Sequence, residues 1–451
     1  MVLRRKIYSK LLEWKNEVKG KKSLLIEGAR RIGKSTICQE FGKNEYESYI
    51  VIDFAKKNPV VEEYFNNYLN DLDTFFMLIA NYFKVKLVER KTLFIFDEVQ
   101  MFPQARAAIK YLVADGRYDY METGSLISVK ENVKDIVIPS EERSILMYPL
   151  DFEEFLWALK EEQLAKYIKK CFSEKEPLEK EMHAKAMLLF KQYMLVGGMP
   201  QAIIEFLKNK DFSSADKEKR DILKLYHNDI MKIQTKYRTK VLAIYEQIPG
   251  LLSRHEKRVV FNDIKDKTHA LQYSETFFWL SNSMICNNCF LCGDPNVGLA
   301  INETRAYVKC YFGDTGLLVS HAFSENELLD DDIYSQILND KLSLNEGMFY
   351  ENMIAQMLTA NGHKLYFYTH YSNDKHRNDI EIDFIISNNS KLKYKMYPIE
   401  VKSSKLYNLT SLLRFKDKYK ERIGDCYVVH PRNLVIKEDI ICIPPYMVMC
   451  L

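Results

Sequence analysis

The stretch Gly28-Ala29-Arg30-Arg31-Ile32-Gly33-Lys34-Ser35-Thr36 contains the spacing G-x-x-x-x-G-K-[ST]. Glycines at that distance let backbone N–H groups close around phosphate oxygens. Lys34 then neutralises the β- and γ-phosphates of a nucleotide, and the Ser35 hydroxyl is a ligand for Mg2+. A second stretch, "LFIFDEVQ", ends four apolar residues on Asp97-Glu98. An acid at the C-terminal end of a buried strand suits the water shell of a Mg2+ ion, which assigns Asp97 to the metal. Glu98, one residue on, is placed to polarise an attacking water. "METGSL" closes the following strand, where Thr123 or Ser125 could sense a γ-phosphate. Arg143, just before a fifth strand, is a candidate arginine finger or sensor. The chemistry called for is nucleotide binding and hydrolysis, with ATP and Mg2+ as cofactors.

Another constellation stands near the other end of the chain. Glu351 lies on "EGMFYENMIAQML", at the edge of an apolar face made by Phe349, Tyr350, Met353, Ile354, Met357 and Leu358. Asp383 follows Ile382 in one apolar strand, and Glu400 and Lys402 share a face of the next, "YPIEVKSS". Asp383 and Glu400 on adjacent strands can hold one divalent metal, and Lys402 can acidify a metal-bound water or stabilise a pentavalent phosphate. That is an E…D…E-x-K nuclease pattern, and it can equally survive as an inherited scaffold that only binds. Cys286, Cys289, Cys292 and Cys310 invite a zinc reading. An extended strand sends Cys289 to the opposite face from Cys286 and Cys292, so buried small side chains are the better reading. The mixed-charge stretch "THYSNDKHRND" reads as a solvated hairpin loop.

The elements that must position these residues follow from hydrophobic patterning. A short helix over residues 6–18 leads in. Strands at 23–28, 48–55, 92–98, 118–124 and 144–150 alternate with helical stretches, which predicts a parallel sheet covered on both faces. The pattern is helical from 151 to about 248, broken by a sharp junction at Gly197-Gly198 and Pro200. Short helices and a hairpin over 249–325 have the order of a winged helix. A last helix, strand, strand, strand, helix, strand succession fills 326–451. The predicted class is therefore α/β, with domains at 1–150, 151–248, 249–325 and 326–451.

Composition narrows the setting. The 451 residues are 47% hydrophobic and 28% charged, and Lys+Arg 65 against Asp+Glu 62 gives +3. Any basic nucleic-acid footprint is therefore local. Nine cysteines without a regular framework read as reduced thiols in a cytoplasmic protein. The basic start lacks the apolar segment of a signal peptide, and no run is long enough to span a membrane.

Taken together, "EGARRIGKST", "LFIFDEVQ", "METGSL", "YPLDFEEFL", "VGGMPQAI", "YFGDTGLL", "NEGMFYENMIAQML" and "EIDFII…YPIEVKSS" resemble prokaryotic AAA-type ATPases of the AAA+ superfamily. Those proteins carry a C-terminal domain of unknown function related to restriction endonucleases. The motifs run in the family's order over about residues 5–405. Departures are Ser35 where members usually have Thr, and Leu126-Ile127 after the sensor serine where they have Ser-Asn. The resemblance implies a P-loop AAA+ core, a helical lid helped by the "GGMP" turn, a winged-helix-like unit and a restriction-endonuclease-like α/β domain. It implies ATP binding and hydrolysis but supplies no substrate. Two functions stay open: nucleotide gating a nuclease that acts on DNA, or a nucleotide-driven switch that binds DNA or a protein without cutting. AAA relatives often form rings, so further copies of the chain are a third partner class, and no membrane partner is expected.

Overall fold

In a computed structural model of the chain, all residues are described except 125–139, 234, 255–256, 261–266, 297, 326–328, 330, 339–345, 373–376, 389–394 and 405–406. The chain forms two compact units, Met1–Tyr148 and Pro149–Leu451.

The first unit is built on five strands: β1 (Ser23–Glu27), β2 (Ser48–Asp53), β3 (Thr92–Asp97), β4 (Asp119–Gly124) and β5 (Glu142–Leu146). All pair in parallel, in the order β2-β3-β4-β1-β5. Helices α1 (Ile7–Val18), α2 (Lys34–Glu45), α3 (Pro59–Asn67), α4 (Leu72–Phe83) and α5 (Pro103–Asp115) accompany them. Every residue of β3 and β4 is buried, as continuous apolar runs covered on both faces require. An aromatic core, including Phe54, Phe65, Phe76, Phe94, Phe96 and Tyr120, fills one side. Because the strands are parallel, their C-terminal ends share one edge. β4 lies between β1 and β3, so the turns leaving these three strands are neighbours there.

The second unit holds a nine-stranded sheet. Its strands are β6 (Arg258–Val260), β7 (Cys286–Cys292), β8 (Glu303–Phe312), β9 (Leu365–Ser372), β10 (Arg377–Asn388), β11 (Lys395–Val401), β12 (Cys426–Val429), β13 (Val435–Lys437) and β14 (Ile440–Ile443). They run in the order β13-β14-β12-β11-β10-β9-β7-β8-β6. Among the described residues, seven helices from Phe152 to Asn282 precede the hairpin of β7 and β8. Helix Thr410–Lys418 buries Leu412 and Phe415 against one face of the sheet.

Three of the motif stretches meet a fourth in a buried polar node. Asp151 and Glu154 of "YPLDFEEFL" form a reciprocal capping box on helix Phe152–Ala158. Leu150 N–H donates to Gly198 O at 2.7 Å, and Tyr193 Oη donates to Leu150 O at 2.6 Å. Asp314 caps helix Thr315–Ala322 through Leu317 N–H at 2.9 Å and also accepts from Gly198 N–H at 2.6 Å. Gln356 and Asn352 of helix Glu346–Ala360 complete the node: Gln356 Oε1 accepts from Thr315 N–H at 2.7 Å and Asn352 Oδ1 from Phe312 N–H at 2.7 Å. Gly197 sits at φ 83°, ψ −172°, a region open essentially to glycine alone, and a Cβ there would collide with Asp314 Oδ1.

Several expectations are corrected. The fifth strand runs over Glu142–Leu146 rather than 144–150. Met147 N–H still reaches Glu27 O at 2.8 Å, but Pro149 has no N–H to continue a ladder. The hairpin assigned to a separate winged-helix-like unit is part of the C-terminal sheet, because β7 pairs in parallel with β9. The boundary drawn at 325/326 therefore cuts one sheet, and the helices of 151–248 belong to the same compact unit. The β13–β14 hairpin was not expected. Its two-residue turn, Glu438-Asp439, has positive φ at both positions, which matches the twist of such hairpins. Cys286, Cys289, Cys292 and Cys310 are free and buried, and among the described residues no three His, Cys, Asp or Glu side chains gather to hold a metal ion. Among those residues no helix is long and apolar enough to cross a membrane.

Two predictions arise here. Gly197→Ala adds backbone strain and a clash with Asp314, so urea unfolding should show a loss of roughly 2–4 kcal/mol. The second concerns Glu122, fully buried on β4 beside Glu142 and Arg106. Burial, then the charge of Glu142, pushes its carboxyl from 4.5 up to about 8. The unfolded chain releases this proton first, so the group's contribution to stability is complete below about pH 4.5 and is lost as the pH rises to about 8. Glu122→Gln stays neutral throughout. Its melting temperature should exceed that of wild type above pH 8 and converge with it as the pH falls toward 4.5, as followed by thermal melts across that range.

Candidate functional site

The loop between β1 and α2 turns back on itself through Arg31 (φ 67°) and Gly33 (φ 91°). Gly28 has no room for a side chain, since a Cβ would strike Ile32 Cδ1 and come within 2.5 Å of Met147 O. Ile32 is fully buried and Ala29 nearly so, while Arg31 and Thr36 are exposed and Arg30 and Ser35 half-buried. Lys34 opens α2 with its side chain buried, and its Nζ donates to Gly28 O at 2.9 Å and Ala29 O at 2.8 Å. Burial pushes its ammonium pKa down, against the opposing pull of Glu98 and Asp97. Arg5 holds the loop from behind, donating to Ile32 O at 2.9 Å and Tyr148 O at 2.6 Å. Sequence reading passed over Arg5, which sits in an unremarkable basic start and carries no motif.

Asp97, at the end of β3, brings the loop and the neighbouring strand together. Its Oδ1 accepts from Ser35 Oγ at 2.7 Å and also from Thr123 Oγ1, on β4. Glu98 follows in the left-handed conformation at φ 53°. Its N–H donates to Thr123 Oγ1 at 3.2 Å, and its carboxylate accepts from Gln100 Nε2. The structure thus gathers Lys34, Ser35, Asp97, Glu98 and Thr123 on one sheet edge, with Gln100 as a partner not anticipated. Ser125 lies outside the described residues.

Arg143 is placed elsewhere. It pairs level with Leu24 at the start of β1, toward the sheet end opposite the P-loop, and is bound to Glu17 at 3.0 Å on an exposed surface. The parallel register thus carries Arg143 away from the P-loop of its own chain.

The hydroxyl–carboxylate pair fits Mg2+. Ser35 and Asp97 present hard oxygen donors side by side, held by a hydrogen bond that an ion can replace without stranding a charge.

In the second unit, β10 and β11 are antiparallel with Phe384 opposite Ile399, which sets Asp383 beside Glu400. Asp383 Oδ2 accepts from Val401 N–H at 2.9 Å, and Glu400 pairs with Lys402 at 3.3 Å. Glu351 is buried beside them on its helix. The sequence did not announce Lys309, Lys257 and Tyr311. Lys309 Nζ lies 3.5 Å from both Glu351 Oε1 and Asp383 Oδ1, Lys257 donates to Glu351 Oε2, and Tyr311 Oη donates to Glu351 Oε1. Burial alone would raise the Glu351 pKa, but Lys309 and Lys257 bring it down to about 2. Burial pushes Glu400 up to about 7, with Asp383 adding to the rise and Lys402 opposing it. This donor set does not fit a divalent metal, because each oxygen of Glu351 and Asp383 already faces an ammonium, a hydroxyl or an N–H.

Comparison with known proteins follows the same division. Residues 20–156 match the profile described as an AAA domain. The first unit is a P-loop ATPase-like core. Residues 187–327 and 346–447 match two domains of unknown function, DUF8612 and DUF4143. No curated protein matches the chain. Among solved structures, the chain is similar to a Walker-type ATPase of Pyrococcus abyssi, at 17% identity over 71% of this chain and 96% of that one, with a TM-score of 0.39. It is similar to AMPPCP-bound DnaA from Aquifex aeolicus, at 14% over 62% and 80%, TM-score 0.26. A third likeness is to a signal-transduction ATPase with a tetratricopeptide-repeat sensor from Pyrococcus horikoshii, at 10% over 80% and 45%, TM-score 0.28. Superpositions this loose carry no weight for function.

Proposed function

We propose that the chain binds and hydrolyses ATP, and that its nucleotide state controls a C-terminal nuclease-like domain, residues 326–451, that acts on or binds nucleic acid. The observation that carries the ATP reading is the meeting of Lys34, Ser35, Asp97 and Thr123 at one sheet edge, within the stretch that matches an AAA domain. The loop Gly28–Thr36 wraps the phosphates with its N–H groups, and the Lys34 ammonium leaves its own carbonyls to face them. Ser35 and Asp97 would hold Mg2+, which neutralises phosphate charge when bound. Glu98 takes the proton of the attacking water, with Gln100 orienting its carboxylate. Thr123 reports on this centre by sharing its hydroxyl between Asp97 and the Glu98 N–H. Arg143, exposed and away from its own P-loop, serves a neighbouring copy of the chain in an oligomer.

The helices of 151–248 act as the lid in this reading, and the restriction-endonuclease-like character of the last segment rests on the E…D…E-x-K residues of β10, β11 and helix Glu346–Ala360. A second reading, a switch that binds DNA or a protein without cutting, is favoured by one specific observation: the carboxylates Glu351 and Asp383 are already neutralised by lysines.

Lys34→Ala removes the buried charge facing the phosphates and should abolish binding of a fluorescent ATP analogue; unchanged affinity sinks the assignment. Glu98→Gln keeps size and hydrogen bonding without basicity. It should retain nucleotide binding while steady-state hydrolysis drops by roughly two to four decades. Turnover at the wild-type rate would place the base elsewhere.

A further inference from the structure

The E…D…E-x-K residues are complete in the sequence and closed in space. Lys309 enters from β8, a strand far upstream of the motif that the continuous sheet brings alongside it. Its side chain is 4% exposed, and its Nζ stands 3.5 Å from Glu351 Oε1 and 3.5 Å from Asp383 Oδ1. The remaining Glu351 oxygen is held by Lys257, and the remaining Asp383 oxygen by Val401 N–H. Glu400 faces Lys402. Three carboxylates are thus matched by three ammonium groups.

We propose that Lys309 is the resident cation of this site and excludes a divalent metal from the place between Glu351 and Asp383. The inference favours binding without cutting and rests on the nuclease-like reading only for where a metal would be sought. The physical reason is charge. A divalent ion bridging the two acids would stand against a buried ammonium, and like charges at that range in a poorly solvated interior repel strongly. Moving Lys309 aside instead would strip a cation from the buried Glu351 and the half-buried Asp383. Two carboxylate oxygens, each 3.5 Å from Nζ, oppose the loss of its charge. The site is therefore a metal site in outline whose place between Glu351 and Asp383 is taken by an ammonium group.

The test is Mn2+ binding, followed by calorimetry and by electron paramagnetic resonance. The full-length chain is used in a Ser35→Ala background without nucleotide, so that the first unit contributes no ion. The Ser35→Ala protein should bind no Mn2+ tighter than about 1 mM. Adding Lys309→Met, nearly isosteric but uncharged, should create one Mn2+ site with affinity on the order of tenfold higher or more, and a further Asp383→Ala change should remove it. Lys309→Arg, which keeps the charge, should remain metal-free. Stoichiometric Mn2+ in the Ser35→Ala protein that disappears with Asp383→Ala overturns the inference, and so does a folded Lys309→Met protein that takes up none. If Lys309→Met does not fold, the Ser35→Ala and Lys309→Arg arms still decide. Failure of the parent reading is seen separately: no salt-sensitive binding of duplex or single-stranded DNA by the wild type would remove nucleic acid as the partner and leave the metal result standing. Metal-dependent, Asp383-dependent plasmid cleavage by the wild type would uphold the nuclease and overturn the role given to Lys309.

Discussion

The second unit depends on one buried carboxylate, Asp314. It caps a helix through Leu317 N–H, receives the Gly198 N–H of a turn more than a hundred residues away in the chain, and accepts from Gln356 of a third element. A buried acid without such partners would cost several kcal/mol. With them it fixes three segments at once, because each donor must arrive in the right place. The two glycines of the turn are what let the backbone come this close. Gly316, from the other side, is pressed against Val196 and Gly197 with no space for a side chain. The turn that the family resemblance gives to the lid is tied here, through Asp314, to helices Thr315–Ala322 and Glu346–Ala360.

The two acidic centres illustrate how partner chemistry decides what a carboxylate can do. Asp97 is met by hydroxyls from Ser35 and Thr123. A hydroxyl is neutral, can donate or accept, and can stay in place as a second ligand when an ion arrives. Asp383 and Glu351 are met by ammonium groups, which only donate and carry charge of the same sign as a metal. The residue type that would ligate is the same in both centres; the neighbours differ. Lys34 belongs with the first group despite its charge. It rests on loop carbonyls rather than on an acid, so its ammonium can leave them for phosphate without breaking an ion pair.

Much of this was legible in the sequence because it is local. The P-loop and the Asp97-Glu98 strand end are each written within a few consecutive residues, and a strand followed by a helix places them. The continuous apolar runs likewise announced a parallel sheet, since nothing else buries both faces of such strands. What escaped was set by register between distant segments. Arg143 reads from sequence as lying just before a strand, yet it is the second residue of β5, and the parallel pairing with β1 sets it at the strand end away from the phosphates. Lys309 has no motif around it. Its meaning comes from β7 and β8 joining the sheet of β9–β14, and that pairing leaves no periodic trace. The hairpin around Glu438-Asp439 escaped for another reason: Glu438 is not a residue usually found where φ is positive, and no glycine marks the turn.

The same parallel pairing of β7 with β9 bears on how the protein is made. During synthesis the β7–β8 hairpin emerges well before β9, and helix Glu346–Ala360 must be threaded between them in sequence. Until β9 arrives, β7 carries an open row of backbone donors and acceptors, the kind of edge on which chains pair wrongly with one another. Non-local parallel contacts also form slowly, since the intervening loop must close before any contact repays it. The nascent second unit is therefore predisposed to wait for its C-terminal strands, and a ribosome stalled or a chain cut before residue 365 would leave a sticky intermediate in place of a smaller folded domain.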